Sequence, residues 1–423
     1  MRIEIPRELE RFGANLFYGV QKVYELDSGL KPDEPADHPC TVKQLSYEQL
    51  YEIEKDMVIV IPTKGEKLRL LQGVLYGIPH QCLIIVVSNS PRQPVDRFSI
   101  EKDAIERFCT FTRKSVLVIH QEDPALAKAL ENAGYPELLD ERGTVKSGKG
   151  EGMLLATLLA RLTGKKFIGF IDADNYFPGA VLEYIRIYSA GFALRTSDYA
   201  LVRISWQSKP KVMGSGLYFA KYGRASVITN RFMNSLVGYT TGFETEVIRT
   251  GNAGEHALTL DLAMLMEYAS GYAVEPYHLI YLMETFGGLN HSLQQDIIQK
   301  HIEIFQIESR NPHLHEQKGD EHVEDMIFAA LQVIYHSPVT PKVLKKEILE
   351  ELRSRGSLKK DQEPPKMSFY PPLGKVNLKT FRHELSGHPC AAFFQPVPAE
   401  NPLVREHDGK RSRKKTGVKA HRL

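Results

Sequence analysis

Three continuous apolar runs dominate the hydrophobic pattern in the first half of the chain. They occupy residues 57–61, 82–87 and 115–120, and each is rich in Ile, Val and Leu. Each run ends in polar or proline-containing residues, after which apolar positions recur at helical spacing. Runs without alternation are typical of strands buried on both faces of a parallel sheet. The repeated strand and helix units predict right-handed crossovers and a doubly wound α/β sheet.

A fourth apolar run, at residues 165–171, ends at two carboxylates, Asp172 and Asp174, before Pro178 and Gly179 break the strand. Carboxylates spaced i, i+2 repel each other unless they point apart or share a cation. Mg²⁺ prefers oxygen ligands and leaves other positions to phosphates and water. An isolated D-x-D is also common at a solvated strand end, so its meaning depends on context.

The second half of the chain shows a weaker pattern. A strand is predicted at 199–206, and helices are predicted at about 181–188, 256–269, 293–304, 323–335 and 341–355. The glycine-rich segments 240–245 and 250–256 are typical of loops that shape a pocket. The pattern therefore predicts a helical region after the parallel sheet.

Residues 143–149 match the P-loop pattern G-x-x-x-x-G-K. Gly150 replaces the Ser or Thr that would hold a metal, and residues 138–142 make a poor strand, so an ATPase is rejected. A glycine-rich loop that opens a helix can still bind an anion, and Lys146 and Lys149 would add positive charge. A lysine-bearing surface loop explains the same residues equally well.

His313 and His315 form a pair flanked by carboxylates. A single histidine in a loop is usually only solvated. Beside a D-x-D, however, one of the two becomes a candidate third metal ligand, because neutral imidazole is a common one.

Composition narrows the class of protein. The chain has 423 residues and a formal net charge of +2, so no strong overall field attracts nucleic acid or an anionic membrane. Its four cysteines form no C-x-x-C pair, and no apolar run is long enough to cross a bilayer. A cytoplasmic protein that binds neither membrane nor nucleic acid is expected. The basic segment 410–415 is interpreted as a solvated terminus, with a polyanion-binding tail as the alternative.

Several longer motifs resemble those of the mannosyl-3-phosphoglycerate synthases, which are retaining glycosyltransferases of the GT-A fold. The motifs, in order, are IPTKGEKLRLLQGVLYGIPH, VVSNS, HQEDPALAKAL, SGKGEGM, FIDADNYFPGAV, GNAGEHAL and FQIESRNPHLHEQKGDEH. The resemblance covers roughly residues 1–355. It implies transfer of mannose from GDP-mannose to 3-phosphoglycerate, in the synthesis of the compatible solute mannosylglycerate.

The resemblance also implies the roles of individual residues. Asp172, Asp174 and Glu255 are expected to take part in catalysis. The metal ligands are expected to be Asp174 and Asp172 with His313, or with His315 as second choice. The metal is expected to be Mg²⁺, with Mn²⁺ or Co²⁺ as alternatives. The expected substrate-binding residues are Pro62, Lys64, Glu66, Ser88, Asn89 and Lys149 on the nucleotide side, together with Gln121. Apart from the resemblance, charge alone suggests Arg249, with Thr241 and the lysines of 207–225, for the acceptor's phosphate and carboxylate.

Four regions are predicted on this basis. They are a lead-in at 1–55, a nucleotide-sugar-binding α/β domain at 56–205, an acceptor-binding and helical region at 206–355, and a proline-rich, flexible basic tail at 356–423. GDP-mannose and 3-phosphoglycerate are the expected partners, with a homodimer as an option. The alternatives are a synthase using another sugar nucleotide or acceptor, such as a glucosyl-3-phosphoglycerate synthase, a sugar nucleotidyltransferase, and a non-catalytic nucleotide-sugar-binding protein.

Three positions depart from the family pattern. The family usually has Asn where this chain has Gly65, Lys where it has Glu122, and Arg where it has Gln207. A guanidinium can hold a phosphate through two hydrogen bonds, which a glutamine cannot do. These departures leave the substrate less certain than the class of reaction.

Overall fold

The computed structural model describes residues 1–26, 42–175, 177–213, 216–220, 223–288, 295–314 and 320–394. Its strands are β1 (Arg2–Glu4), β2 (Leu9–Phe12), β3 (Asn15–Tyr18), β4 (Gln21–Glu25), β5 (Val42–Gln44), β6 (Met57–Thr63), β7 (Leu83–Ser88), β8 (Val116–His120), β9 (Phe167–Phe170), β10 (Tyr199–Ser205), β11 (Lys209–Met213), β12 (Gly216–Ala220), β13 (His256–Thr259), β14 (Tyr268–Ala269), β15 (Ile302–Glu308) and β16 (Phe369–Tyr370). Its α-helices are α1 (Tyr47–Lys55), α2 (Leu68–Gly77), α3 (Arg97–Thr112), α4 (Pro124–Asn132), α5 (Lys149–Leu162), α6 (Pro178–Leu194), α7 (Arg224–Thr241), α8 (Leu260–Leu265), α9 (Val274–Phe286), α10 (Gln295–Lys300), α11 (Asp320–His336), α12 (Lys342–Ser354) and α13 (Leu378–Glu384).

The main sheet has the order β5-β1-β4-β15-β10-β13-β9-β6-β7-β8. Strands β9, β6, β7 and β8 pair in parallel, and β10 pairs in parallel with β15. Side chains of β6 alternate between two buried clusters, with Val58 and Val60 on one face and Ile59 and Ile61 on the other. Helices therefore cover both faces, which explains the unbroken apolar run. The expected α/β, doubly wound and mostly parallel sheet is confirmed.

One strand reverses direction and decides where the candidate site lies. β13 is antiparallel to both of its neighbours, β9 and β10, and His256 lies opposite Phe170. The start of β13 therefore meets the ends of β9 and β10 at one edge of the sheet. Of the helix predicted at 256–269, only Leu260–Leu265 are helical in α8. Residues 256–259 form β13 instead, because this short segment gains its backbone partners from two strands distant in sequence. The helix predicted at 293–304 is present as α10 over Gln295–Lys300, whereas residues 302–304 belong to β15.

The segment after residue 355 differs from the flexible tail expected of it, as far as residue 394. β16 pairs with β14, and Leu373 and Phe381 are fully buried. The side chain of Tyr370 donates a hydrogen bond to Glu151 in the first turn of α5, at 2.8 Å. This segment is part of the core. The basic stretch at 410–415 lies outside the described residues.

No helix among the described residues is long and apolar enough to cross a membrane. Cys82, Cys109 and Cys390 are buried free thiols.

Candidate active site

The candidate site is built where several strands end at one edge of the sheet. Asp172 follows β9 by two residues, and Glu255 immediately precedes the antiparallel β13. β15 runs parallel to β10, with Glu308 opposite Ser205, so the loop after β15 emerges at the same edge. The sheet therefore brings the D-x-D, the acid of the GNAGEHA motif and the histidine loop together.

Asp172 is paired with a lysine from the glycine-rich loop. The Nζ atom of Lys149 lies 2.7 Å from Oδ1 of Asp172 and 2.8 Å from Oε1 of Glu275. Burial lowers the pKa of Lys149, but the two carboxylates outweigh it and raise that pKa well above its usual value. A Cβ atom at Gly254 would lie 2.8 Å from Oδ2 of Asp172, so the absence of a side chain there leaves room for this pair.

Glu255 lies beside this pair in a different environment. It is fully buried, and Nδ2 of Asn175 donates a hydrogen bond to its Oε1 at 3.0 Å. Its Oε2 has no hydrogen-bond partner among the described residues. Burial, with the nearby charge of Asp172, raises the pKa of Glu255 to about 7. This carboxyl group can therefore gain or lose a proton near neutral pH.

His313 is held in place by two aromatic rings. Its imidazole stacks on Trp206 with ring centroids 4.6 Å apart, and its Nδ1 lies 3.2 Å from the hydroxyl oxygen of Tyr184. Its backbone N–H donates to the carbonyl of Ser208 at 2.9 Å. Burial raises the pKa of Tyr184, and the charges of Glu255 and Asp172 contribute to the rise. Tyr184 therefore contacts the imidazole directly and is influenced by the charges of the two carboxylates.

Three of the expected substrate-binding residues form hydrogen bonds to neighbouring segments. Ser88 donates to Glu101 at 2.9 Å, and Asn89 donates to the hydroxyl of Ser147 at 2.6 Å. Gln121 is buried and donates to the carbonyl of Lys146 at 2.6 Å. The contacts of Asn89 and Gln121 bring the ends of β7 and β8 against the glycine-rich loop that carries Lys149, whereas Ser88 ties β7 to α3.

The turn after β6 carries three further expected residues, Pro62, Lys64 and Glu66. Glu66 accepts hydrogen bonds from the hydroxyl of Thr63 and the backbone N–H of Lys64, whereas the side chain of Lys64 is exposed. Gly65 adopts φ +79°, a left-handed conformation that Gly and Asn accept more readily than other residues. The backbone thus explains why Gly can stand where the family usually has Asn.

The other two departures lie at the surrounding surface. Glu122 is partly buried beside His120, to whose Nδ1 its backbone N–H donates at 3.2 Å. Gln207 is exposed, next to Trp206. Neither departure disturbs the contacts around Asp172.

Arg249 is placed differently from the other expected residues. Its guanidinium pairs with Glu246, and it lines a groove of about 990 Å³ between α7 and residues 242–249. The lining of this groove does not include Asp172, Glu255 or His313. A role for Arg249 in binding the acceptor stays a prediction.

A metal ion was expected at the D-x-D. Within the described residues, no three His, Cys, Asp or Glu side chains form a ready-made metal site. The donors at this edge nevertheless fit a divalent cation by type, because Asp172 and Asp174 offer carboxylate oxygens and His313 offers an imidazole. The ammonium group of Lys149 lies against Asp172 in this structure. His315 lies outside the described residues.

Sequence reasoning missed four residues that organise the site. They are Asn175, Glu183, Tyr184 and Glu275, all of which are buried. Asn175 directly follows the D-x-D, which could have drawn attention to it. Glu183, Tyr184 and Glu275 lie in helices, and their local sequence carries no signal that distinguishes them from core positions.

Sequence similarity to known proteins identifies the family of the chain. A family model described as mannosyl-3-phosphoglycerate synthase matches residues 5–385, which extends the resemblance some way beyond residue 355. A mannosyl-3-phosphoglycerate synthase of Pyrococcus furiosus is 46% identical over 90% of this chain and 95% of its own length. One of Aeropyrum pernix is 38% identical over 90% of this chain and 96% of its own.

Two solved structures resemble the fold of this chain at low sequence identity. A glucosyl-3-phosphoglycerate synthase of Mycobacterium tuberculosis in complex with phosphoglyceric acid matches with 16% identity and a TM-score of 0.45, over 77% of this chain and 94% of that one. A mannosyl-3-phosphoglycerate synthase of Rubrobacter xylanophilus matches with 16% identity and a TM-score of 0.44, over 77% and 93%. On the family model and the two sequence relatives, this chain belongs to the mannosyl-3-phosphoglycerate synthase family of glycosyltransferases.

Proposed function

We propose that this protein transfers the mannosyl group of GDP-mannose to 3-phosphoglycerate with retention, giving mannosyl-3-phosphoglycerate and GDP. The observation that carries the proposal is the meeting of Asp172, Glu255 and His313 at one sheet edge, in a chain 46% identical to a named synthase. 3-Phosphoglycerate has a single free hydroxyl group, at carbon 2, which therefore receives the sugar. The bond from the anomeric carbon to the diphosphate breaks, and the proton of the acceptor hydroxyl leaves with GDP or solvent.

The residues around Asp172 and Lys149 are assigned to the diphosphate. Lys149 begins α5, where free backbone N–H groups and the helix dipole also favour an anion. A divalent cation held by Asp172, Asp174 and His313, with Mg²⁺ preferred, would neutralise charge that develops on the departing diphosphate. Asn89 and Gln121 keep the glycine-rich loop in position for this contact.

Glu255 is assigned to the sugar and acceptor side of the reaction. Two mechanisms can retain the configuration at the anomeric carbon. Either a protein nucleophile attacks this carbon first, or the acceptor hydroxyl attacks it on the same face from which the diphosphate leaves. Because its pKa is raised to about 7, Glu255 carries a proton for much of the time at neutral pH.

A cytoplasmic location is part of the proposal, and the buried free thiols support it.

One experiment tests the function against its alternatives. The purified protein is incubated with Mg²⁺, a panel of phosphoglycerates, and GDP-mannose or UDP-glucose, and released GDP, UDP and pyrophosphate are measured. We expect GDP release that requires both GDP-mannose and 3-phosphoglycerate. Pyrophosphate release in a parallel incubation with GTP and mannose 1-phosphate would instead indicate a nucleotidyltransferase, and binding of GDP-mannose without turnover would indicate a non-catalytic protein. Preference for UDP-glucose would indicate a glucosyl transferase.

A further inference from the structure

The loop that carries His313 is fixed by a buried carboxylate on α6. Glu183 is 1% exposed, and its Oε1 accepts a hydrogen bond from the backbone N–H of Arg310 at 2.6 Å. Its Oε2 accepts from the backbone N–H of Asn311 at 2.9 Å and from Nδ2 of Asn311 at 2.7 Å. These backbone groups follow the last residue of β15 and lie beyond its ladder with β10, so the carboxylate supplies the partner that a strand would otherwise give.

The next residue of α6 contacts the imidazole itself. Tyr184 lies with its hydroxyl oxygen 3.2 Å from Nδ1 of His313. A bond at Nδ1 orients the ring and directs metal coordination to Nε2. Two adjacent residues of α6 therefore contact the same loop. Glu183 binds its backbone, and Tyr184 contacts the imidazole of His313.

The same helix is tied to the D-x-D. α6 begins at Pro178, four positions after Asp174 in the chain. α6 therefore follows the D-x-D closely in the chain and contacts the histidine loop through Glu183 and Tyr184.

We propose that Glu183 is a positioning residue that sets the imidazole of His313 relative to Asp172 and Asp174 for a shared divalent cation. This inference rests on the proposed function, which requires that cation. Glu183 itself binds neither metal nor substrate in this account.

The test is Glu183→Gln, with Glu303→Gln as a matched control. Glutamine keeps the volume of Glu183 but turns an N–H₂ group towards backbone donors, so at least one of the three bonds is lost. Glu303 is equally buried and also accepts two backbone N–H bonds, from Thr196 and Ser197 at 2.8 and 2.9 Å. It lies at the opposite end of β15 from the histidine loop.

Mn²⁺ binding in the presence of GDP is measured by electron paramagnetic resonance, and thermal unfolding is measured alongside. We expect Glu183→Gln to weaken Mn²⁺ affinity about 10- to 100-fold, the usual effect of losing a group that orients a metal ligand. Glu303→Gln is expected to lower thermal stability to a similar degree and to leave Mn²⁺ affinity within about threefold of the unaltered protein.

Equal Mn²⁺ affinity in folded Glu183→Gln and the unaltered protein would overturn the inference. If Glu183→Gln does not fold, Asn311→Ala removes only one of the three bonds and keeps the charge of Glu183, and unchanged Mn²⁺ affinity in that variant would overturn it as well. Failure of the unaltered protein to bind Mn²⁺ would overturn both the inference and the metal assignment. If Mn²⁺ binding follows the expected pattern but mannose is not transferred, only the proposed function fails.

Discussion

Two carboxylates at one sheet edge, Asp172 and Glu255, lie in contrasting environments. Asp172 is 32% exposed and paired with the ammonium group of Lys149, whereas Glu255 is fully buried with one oxygen unpartnered among the described residues. The first environment pairs a partly exposed carboxylate with a cation, which a metal ion could replace. The second favours the neutral carboxyl. Neighbouring acids can therefore serve different roles because their surroundings separate their protonation states.

The largest effect is expected for Asp172→Ala. Loss of this carboxylate should lower mannosyl transfer by about 10³-fold, because Lys149 and the metal both lose their partner next to the diphosphate. Transfer and metal-dependent GDP binding are measured on folded protein with saturating Mg²⁺. Substantial activity in that variant would show that Asp172 is not a required metal ligand. The proposed difference in role between Asp172 and Glu255 would then be wrong as well.

A smaller effect is expected for His313, the proposed histidine ligand of the metal. His313→Ala should weaken Mn²⁺ affinity about 10- to 100-fold, since a ligand and its oriented ring are both lost. His315→Ala serves as the matched comparison. If only His315→Ala weakens metal affinity, the choice of His313 is wrong.

Glu255→Gln should change how stability depends on pH. A carboxyl whose folded pKa is raised from 4.5 to about 7 stabilises the fold fully below pH 4.5, and this contribution is lost as pH rises through about 7. Glutamine does not titrate, so the stability of the variant relative to the unaltered protein should increase between these values, by on the order of 3 kcal/mol. Urea unfolding of metal-free protein at several pH values measures this difference.

A constant difference between Glu255→Gln and the unaltered protein from pH 4.5 to 7 would contradict the raised pKa. The matched variant for this comparison is Glu303→Gln, in which another buried carboxylate is neutralised outside the site.

The smallest effect is expected at Gly65, outside the pair of acids. Gly65→Ala should cost about 1–2 kcal/mol because φ is positive there. Gly65→Asn should cost less, because Asn tolerates this conformation, and should leave transfer within about twofold. A large loss of activity in a stable Asn variant would mean that this turn contacts substrate in a way that requires glycine.

The parallel half of the sheet was predictable from the sequence, whereas its reversal was not. The apolar runs near β6, β7, β8 and β9 are long enough, and flanked by clear enough turn residues, to identify strands directly. β13 has four residues, and it forms because β9 and β10 offer it backbone partners on both sides. Local pattern cannot reveal such a strand.

Some residues of the candidate site were likewise predictable from the sequence, and others were not. The D-x-D, the glycine-rich loop and the histidine pair were identifiable from residue type and spacing, and the resemblance to a family added Glu255. Glu183 could not be found, because its importance comes from a bond to Arg310, 127 residues later. The pairing of Lys149 with Glu275 is of the same kind.

By itself, the sequence determined the chemical groups available and the strands that present them, because residue type and hydrophobic period are local properties. Only the tertiary structure decided which groups meet, which carboxylate keeps its charge, and what holds His313 in place. These properties depend on burial and on charges contributed by distant segments, and both exist only after the chain has packed.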